Sequence, residues 1–188
     1  MVLQIRKALL PLVGIFAVGA ITIGEYEQSL PSPQEALYQY QESHDLPDPN
    51  FQVNHILAEV LGKDEGYLFF LNGNGVVSVA FVSHGWYGWK CGGIVSGSHA
   101  TLDHEPTTIK TGYTGAFGRI TYGLIFSPAV MSVRIDGESA SIIPLDTHNV
   151  RGEQRGAVRL WYIISDHLRN NPRIDYFNNK GEKISTLP

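Results

Sequence analysis

Two dipeptides constrain this chain more than any others: Asn72-Gly73 and Asp136-Gly137, each set between runs of apolar and β-branched residues. Asn-Gly and Asp-Gly supply the positive-φ backbone of a tight hairpin turn, whose twist must match that of the strands it joins. The segments 67–71 and 76–82 flank the first, and 130–135 and 139–145 flank the second. Within 76–82, Val77, Val79 and Phe81 alternate with Ser78 and Ala80, which predicts a strand with one buried face. Ser83-His84-Gly85 turns the chain into a further strand from Trp86 to Val95. Strands at 119–126 and 157–164, and a last hairpin of 172–177 with 182–186 across Asn178–Gly181, bring the expected number to eight or nine. The polar, Gly- and Thr-rich segment 96–117 reads as a long loop.

Helical signals sit at the front. Ser32-Pro33-Gln34-Glu35 places serine at N-cap, proline at N1 and glutamate at N3, a capping box that starts a helix running to about Ser43. Leu46-Pro47-Asp48-Pro49 breaks it. Phe51, His55, Leu57, Ala58 and Leu61 then predict a second helix over 51–61, closed by Gly62. Together these elements predict an α+β fold, mainly antiparallel β and sandwich-like, with two N-terminal helices.

Ahead of them, behind Arg6 and Lys7, residues 8–23 carry no charge, and the chain turns polar at Gly24-Glu25. A spanning helix needs roughly 20 apolar residues, a length the run approaches by recruiting Ile5 and Gly24. Cations on one flank predict a membrane segment with its basic end in the cytoplasm. The expected division is a membrane anchor or signal segment over 1–24, a tether over 25–32, and one extracytoplasmic β-rich domain over 33–188. Ala17-Val18-Gly19 before Ala20 offers a cleavage site for the signal alternative, in which case the protein is secreted. A buried core helix is the third alternative, against which stands the lack of a polar face. No cysteine follows the run, so a lipoprotein anchor is excluded.

The chain has 14 basic and 18 acidic residues, a formal charge of −4; without Arg6 and Lys7 the balance is 12 against 18, or −6. Net acidity with no basic run excludes nucleic acid as a partner class. Cys91 is the single cysteine, so no internal disulfide forms, and its apolar neighbours predict burial.

No catalytic motif is present: no G-x-S-x-G elbow occurs, and Gly112-x-x-Gly115-x-x-Gly118 lacks the lysine and hydroxyl residue of a phosphate loop. No catalytic residue and no cofactor are therefore assigned. His99, Asp103 and His104, beside Glu105, gather imidazoles and carboxylates that suit zinc or another divalent ion, at a spacing that matches no established metal motif. Trp86, Tyr87 and Trp89 lie within four residues. On a strand Trp86 points opposite to Tyr87 and Trp89, so at least one ring faces solvent or another layer, where it can bind a partner protein or a glycan.

Gly85-Trp-Tyr-Gly-Trp-Lys90, preceded by the hairpin over 67–82, resembles a segment of small exported proteins of unknown function from Gram-positive spore-forming bacteria. The later order Tyr122-Gly123, Val133-Arg-Ile-Asp-Gly137, Leu160-Trp161 and Asp175-Tyr-Phe-Asn-Asn-Lys-Gly181 resembles them too. The resemblance spans about 67–186 and implies a bacterial, membrane-anchored β-domain with no assigned activity. The expectation is a membrane-anchored extracytoplasmic protein acting as a non-enzymatic binding module of the cell envelope. The alternative is a metal-dependent or hydrolytic envelope enzyme using the His99–Glu105 loop.

Overall fold

The computed structural model describes residues 29–44, 48–102, 114–116, 119–145, 158–166, 169 and 172–184. The apolar segment 8–23 lies outside them. Among the described residues, no helix is long and apolar enough to cross a membrane.

The described chain is mostly antiparallel β with one short helix. Helix α1 spans Pro33–Ser43, and the predicted capping box forms: the Ser32 Oγ accepts the Glu35 N–H at 3.2 Å, with proline at the first turn. Strands β1 (Val53–Leu61), β2 (Glu65–Asn72), β3 (Val76–Gly85) and β4 (Gly88–Thr101) form a first sheet in the order β1-β2-β3-β4. Strands β5 (Thr114–Ala116), β6 (Ile120–Ile125), β9 (Ser141–Pro144) and β10 (Arg159–Ile164) form a middle sheet, ordered β5-β6-β10-β9. Strands β7 (Ser132–Ile135), β8 (Glu138–Ser139), β11 (Ile174–Phe177) and β12 (Lys183–Ile184) form an outer sheet, ordered β12-β11-β7-β8.

Three apolar interfaces stack these elements. Leu37 of α1 packs with Leu68, Phe70, Ala80 and Val82 on one face of the first sheet. The other face, with Tyr67, Phe69, Val77 and Val79, meets Ile120, Tyr122, Leu124 and Leu160 of the middle sheet. Ile125, Trp161 and Ile163, on the far face of the middle sheet, meet Val133, Ile135 and Tyr176 of the outer sheet. The order is therefore helix, first sheet, middle sheet, outer sheet. Trp161 is fully buried where its antiparallel partner is Gly123, which leaves room for the indole.

Several sequence expectations are corrected. Residues 53–61 form strand β1, not a second helix, because the segment pairs with β2 from Val53↔Asn72 to Leu61↔Gly66. The apolar spacing in 51–61 fits a helix, but Val53, Ile56 and Val60 are β-branched and favour a pleated, half-buried surface. Strand β3 buries both faces: Ser78 and Ala80 are as closed to solvent as Val77 and Val79, since Leu37 of α1 packs on the Ala80 face and the Asn72 amide lies against Ser78. Residues 96–101 extend β4 and 114–116 form β5, where a loop was expected; 103–113 lie outside the described residues. The run 139–145 divides at Ala140 between β8 in the outer sheet and β9 in the middle one. Twelve strands are described, against the eight or nine expected.

The Asp136-Gly137 turn forms as predicted, while the Asn72–Gly75 turn forms with its positive φ at Gly75 and not at Asn72-Gly73. Asp136 and Gly137 take φ of 53° and 89°, positive at both central positions. Gly75 takes φ of 72° at the close of the β2–β3 turn.

Candidate functional site: an aromatic hairpin tip

Strands β3 and β4 stay paired to Gly85↔Gly88, so Trp86 and Tyr87 form the two-residue loop at the hairpin tip rather than the start of a strand. Trp86 is 96 % exposed and Tyr87 43 %. The expected alternation of Trp86 against Tyr87 fails, because both sit in the turn. Trp89 is separated from them. It is partly buried against the helix-side core and meets the His84 ring edge-on at 5.0 Å. Two rings of the predicted trio are thus presented, and the third packs into the helix-side face of the first sheet.

The hairpin base is fixed by the first described residues. Leu30 and Trp89 exchange both backbone hydrogen bonds, at 2.9 and 2.8 Å. That pairing brings the Leu30 carbonyl against Gly88, where a Cβ would lie 2.5 Å from the oxygen; Gly88 also takes φ of 137°. Glycine is required there for the close approach and for the backbone angle. The His84 N–H donates to the Asp64 carbonyl at 2.8 Å, which ties the other arm to the β1–β2 turn.

Other exposed apolar side chains gather at the same end. Leu61 ends β1 opposite Gly66, and Ile164 ends β10 opposite Ile120. Arg119, just before β6, reaches across to Glu65 at the start of β2 with contacts of 3.1 and 3.3 Å. This pair joins the first and middle sheets at that end, and Leu61 and Ile164 remain 44 % and 46 % exposed there.

The opposite end of the first sheet is polar. Asn72 is fully buried; its Oδ1 accepts the N–H groups of Asn74 and Val76, at 3.0 and 2.9 Å. Its Nδ2 contacts the Asn50 carbonyl, the Ser78 Oγ and the Ser96 Oγ, each at 3.1 Å. Asn74 also bonds Asn50, at 2.9 Å. Every partner of the amide belongs to the turn or the neighbouring strands, so this cluster holds structure.

Of the predicted metal ligands, His99 lies in β4, and Asp103 and His104 lie outside the described residues. Because β4 ends at Thr101, paired with Val76, His99 lies toward the Asn72 end of the sheet, which is about 30 Å along β3 from the Gly85–Gly88 end that carries the Trp86 tip. Among the described residues, no group of three or more His, Cys, Asp or Glu side chains is placed to hold a metal.

A groove of about 390 Å³ between α1 and β4 is lined by Gln39, Tyr40, His44, Lys90 and Cys91, among others. The Tyr40 and His44 rings stack there at 4.1 Å. Cys91 is partly buried and its Sγ lies 3.7 Å from the Gly93 carbonyl. Burial pushes the thiol up to about 11, partly offset by a backbone hydrogen bond from Gly93, which leaves it protonated and poorly nucleophilic at neutral pH. A second hollow, of about 400 Å³, is lined by Asn50, Phe51, Ile94, Val95 and Ser96. Neither cavity includes Trp86 or Tyr87.

Sequence reasoning missed the structural weight of Asn72, Gly88 and Arg169. Arg169 is 8 % exposed and grips the β7–β8 turn, reaching Asp136 at 3.2 Å and Glu138 at 2.7 Å. The Gly-aromatic-aromatic-Gly pattern was the available signal for a turn at 85–88. No family model, curated protein or solved structure matches the chain.

Proposed function

We propose that this chain is a membrane-anchored extracytoplasmic protein whose folded part is a non-enzymatic binding module of the cell envelope, with Trp86 and Tyr87 as its contact site. One observation carries the reading: a tryptophan 96 % exposed at the tip of a hairpin whose base is pinned at Leu30 and at Asp64. Isolated exposed apolar residues are ordinary, but a fully presented tryptophan on a held turn is a preordered apolar anchor of the kind that dominates binding surfaces. The apolar run over 8–23 behind Arg6 and Lys7 supports attachment through the N-terminal segment. The face-to-face packing of the first and middle sheets supports a sandwich-like description of the module.

A photoreactive side chain placed at position 86 of the full chain in native membranes tests the reading. Discrete adducts are expected from position 86 and not from Met131, which is also exposed but lies beside the outer sheet. Equal labelling from both positions, or none from position 86, would refute a contact site at the tip.

A further inference from the structure

The surface that the tip touches is set by where the chain enters the fold. Leu30 pairs with Trp89, three residues from Trp86, and α1 begins at Pro33 immediately after. From Ile23, the last residue of the apolar run, to Leu30 there are seven peptide steps, which span at most about 25 Å when fully extended. A bilayer holding residues 8–23 therefore lies within that distance of the hairpin base. The link is too short to let the body drift away from the surface.

The apolar exposure is concentrated at that end. Of the six large hydrophobic side chains exposed among the described residues, Leu61, Trp86, Tyr87 and Ile164 are there, and Tyr38 and Met131 are elsewhere. Tryptophan and tyrosine are the residues that partition to the bilayer interface, where their amphipathic rings sit at the level of the headgroups. Charge does not oppose such a contact. Lys63, Lys90 and Arg119 are balanced near this end by Asp64, Glu65 and Asp166. The far end of the same sheet, built on Asn72 and its amide partners, exposes no large hydrophobic side chain among the described residues.

We infer that the Trp86-Tyr87 tip, at the end of the fold that also exposes Leu61 and Ile164, is a lipid contact that seats in the headgroup region of the bilayer anchoring the chain. It deepens the contact-site reading above and rests on the anchored topology proposed there. The N-terminal segment holds the protein to the membrane, and the tip fixes its orientation. The sheet then stands with its Asn72 end, and the Thr101 end of β4, away from the bilayer.

The test uses the full chain reconstituted in vesicles of phosphatidylcholine and phosphatidylglycerol with brominated acyl chains. Trp86→Phe removes one of three tryptophans and, at so exposed a site, leaves the fold intact. The difference in emission between wild type and this variant isolates Trp86. The expected result is a Trp86 component shifted to the blue, quenched by brominated lipid and protected from aqueous iodide. Flotation after an alkaline wash reports the anchor separately. Chain that floats while Trp86 stays open to iodide and unquenched by lipid overturns the inference and leaves the anchored reading standing. A Trp86 protected from both quenchers identifies a protein contact instead and also overturns it. Chain that fails to float removes the anchored reading, and the inference with it.

Discussion

Gly88→Ala perturbs a position where the Leu30 backbone is pressed against the hairpin base. Its φ of 137° lies where side chains are rarely found, and the new methyl would sit 2.5 Å from the Leu30 carbonyl oxygen. Holding a non-glycine residue in such a region costs about 1–3 kcal/mol. The steric overlap is relieved only by moving Leu30, which breaks its two backbone hydrogen bonds with Trp89, each worth about 0.5–1.5 kcal/mol net. The combined loss is about 2–6 kcal/mol, a large part of the stability of about 5–15 kcal/mol usual for a folded domain. Gly85→Ala is the internal control: the nearest atom to its Cβ is 3.9 Å away, so its loss stays within about 0.5 kcal/mol. Urea unfolding gives both values, and amide exchange at Leu30 and Trp89 reports the local pairing. A Gly88→Ala protein with the wild-type midpoint and protected Leu30 and Trp89 amides would refute the account.

Three further outcomes follow from charged and buried groups. Asp175 is held below the ordinary carboxylate range, first by Lys183 at 2.6 Å and then by Arg173 at 3.2 Å. A depressed folded-state value means that the contribution is present above the unfolded value of about 3.9 and lost as pH falls through the folded one. Asp175→Asn should therefore destabilise at pH 6 and converge on wild type below pH 3; a constant difference in urea midpoint would contradict this. Cys91, raised from 9.0 to about 11 by burial, favours the folded state below pH 9 and loses that contribution as pH rises through 11. Its thiolate is about 100-fold scarcer than in the unfolded chain and only about 10-fold more nucleophilic, so iodoacetamide should react roughly 10-fold slower with folded protein. Equal rates would refute the burial. Asn72→Asp removes the amide donor facing Asn50, Ser78 and Ser96 and buries a charge, at a cost of about 3 kcal/mol or more; a change below 1 kcal/mol in urea would show the cluster to be dispensable.

The turns were legible in the sequence because their causes are local. Asp136-Gly137 needs positive φ at both residues, and the capping box of α1 lies within Ser32–Glu35. Strand β1 was not legible, because its helical spacing was overruled by pairing with β2, a partner that no window on 51–61 contains. The both-face burial of β2, β3 and β6 has the same origin: alternation disappears when a second layer covers the outer face. The aromatic trio was visible as composition, but its division into two presented rings and one packed ring depends on the turn falling at 85–88. The placing of Leu61 and Ile164 at the same end of the fold as the tip had no sequence signal, since more than a hundred residues separate them.

The distribution of strands among the sheets has a consequence for how the protein comes together. The first sheet is a meander of consecutive strands, which the chain can close by local hairpins as it is made. The other two are laced: the chain gives β5 and β6 to the middle sheet, β7 and β8 to the outer, β9 and β10 to the middle, then β11 and β12 to the outer. Neither sheet is contiguous in sequence, so neither can be completed before the other is well advanced. A chain stopped after Asp166 would hold the whole middle sheet yet leave Trp161 without the Tyr176 strand that helps close over it. Slow, jointly committed assembly of these two layers, after rapid closure of the first, is the kinetic signature that this order of strands writes into the molecule.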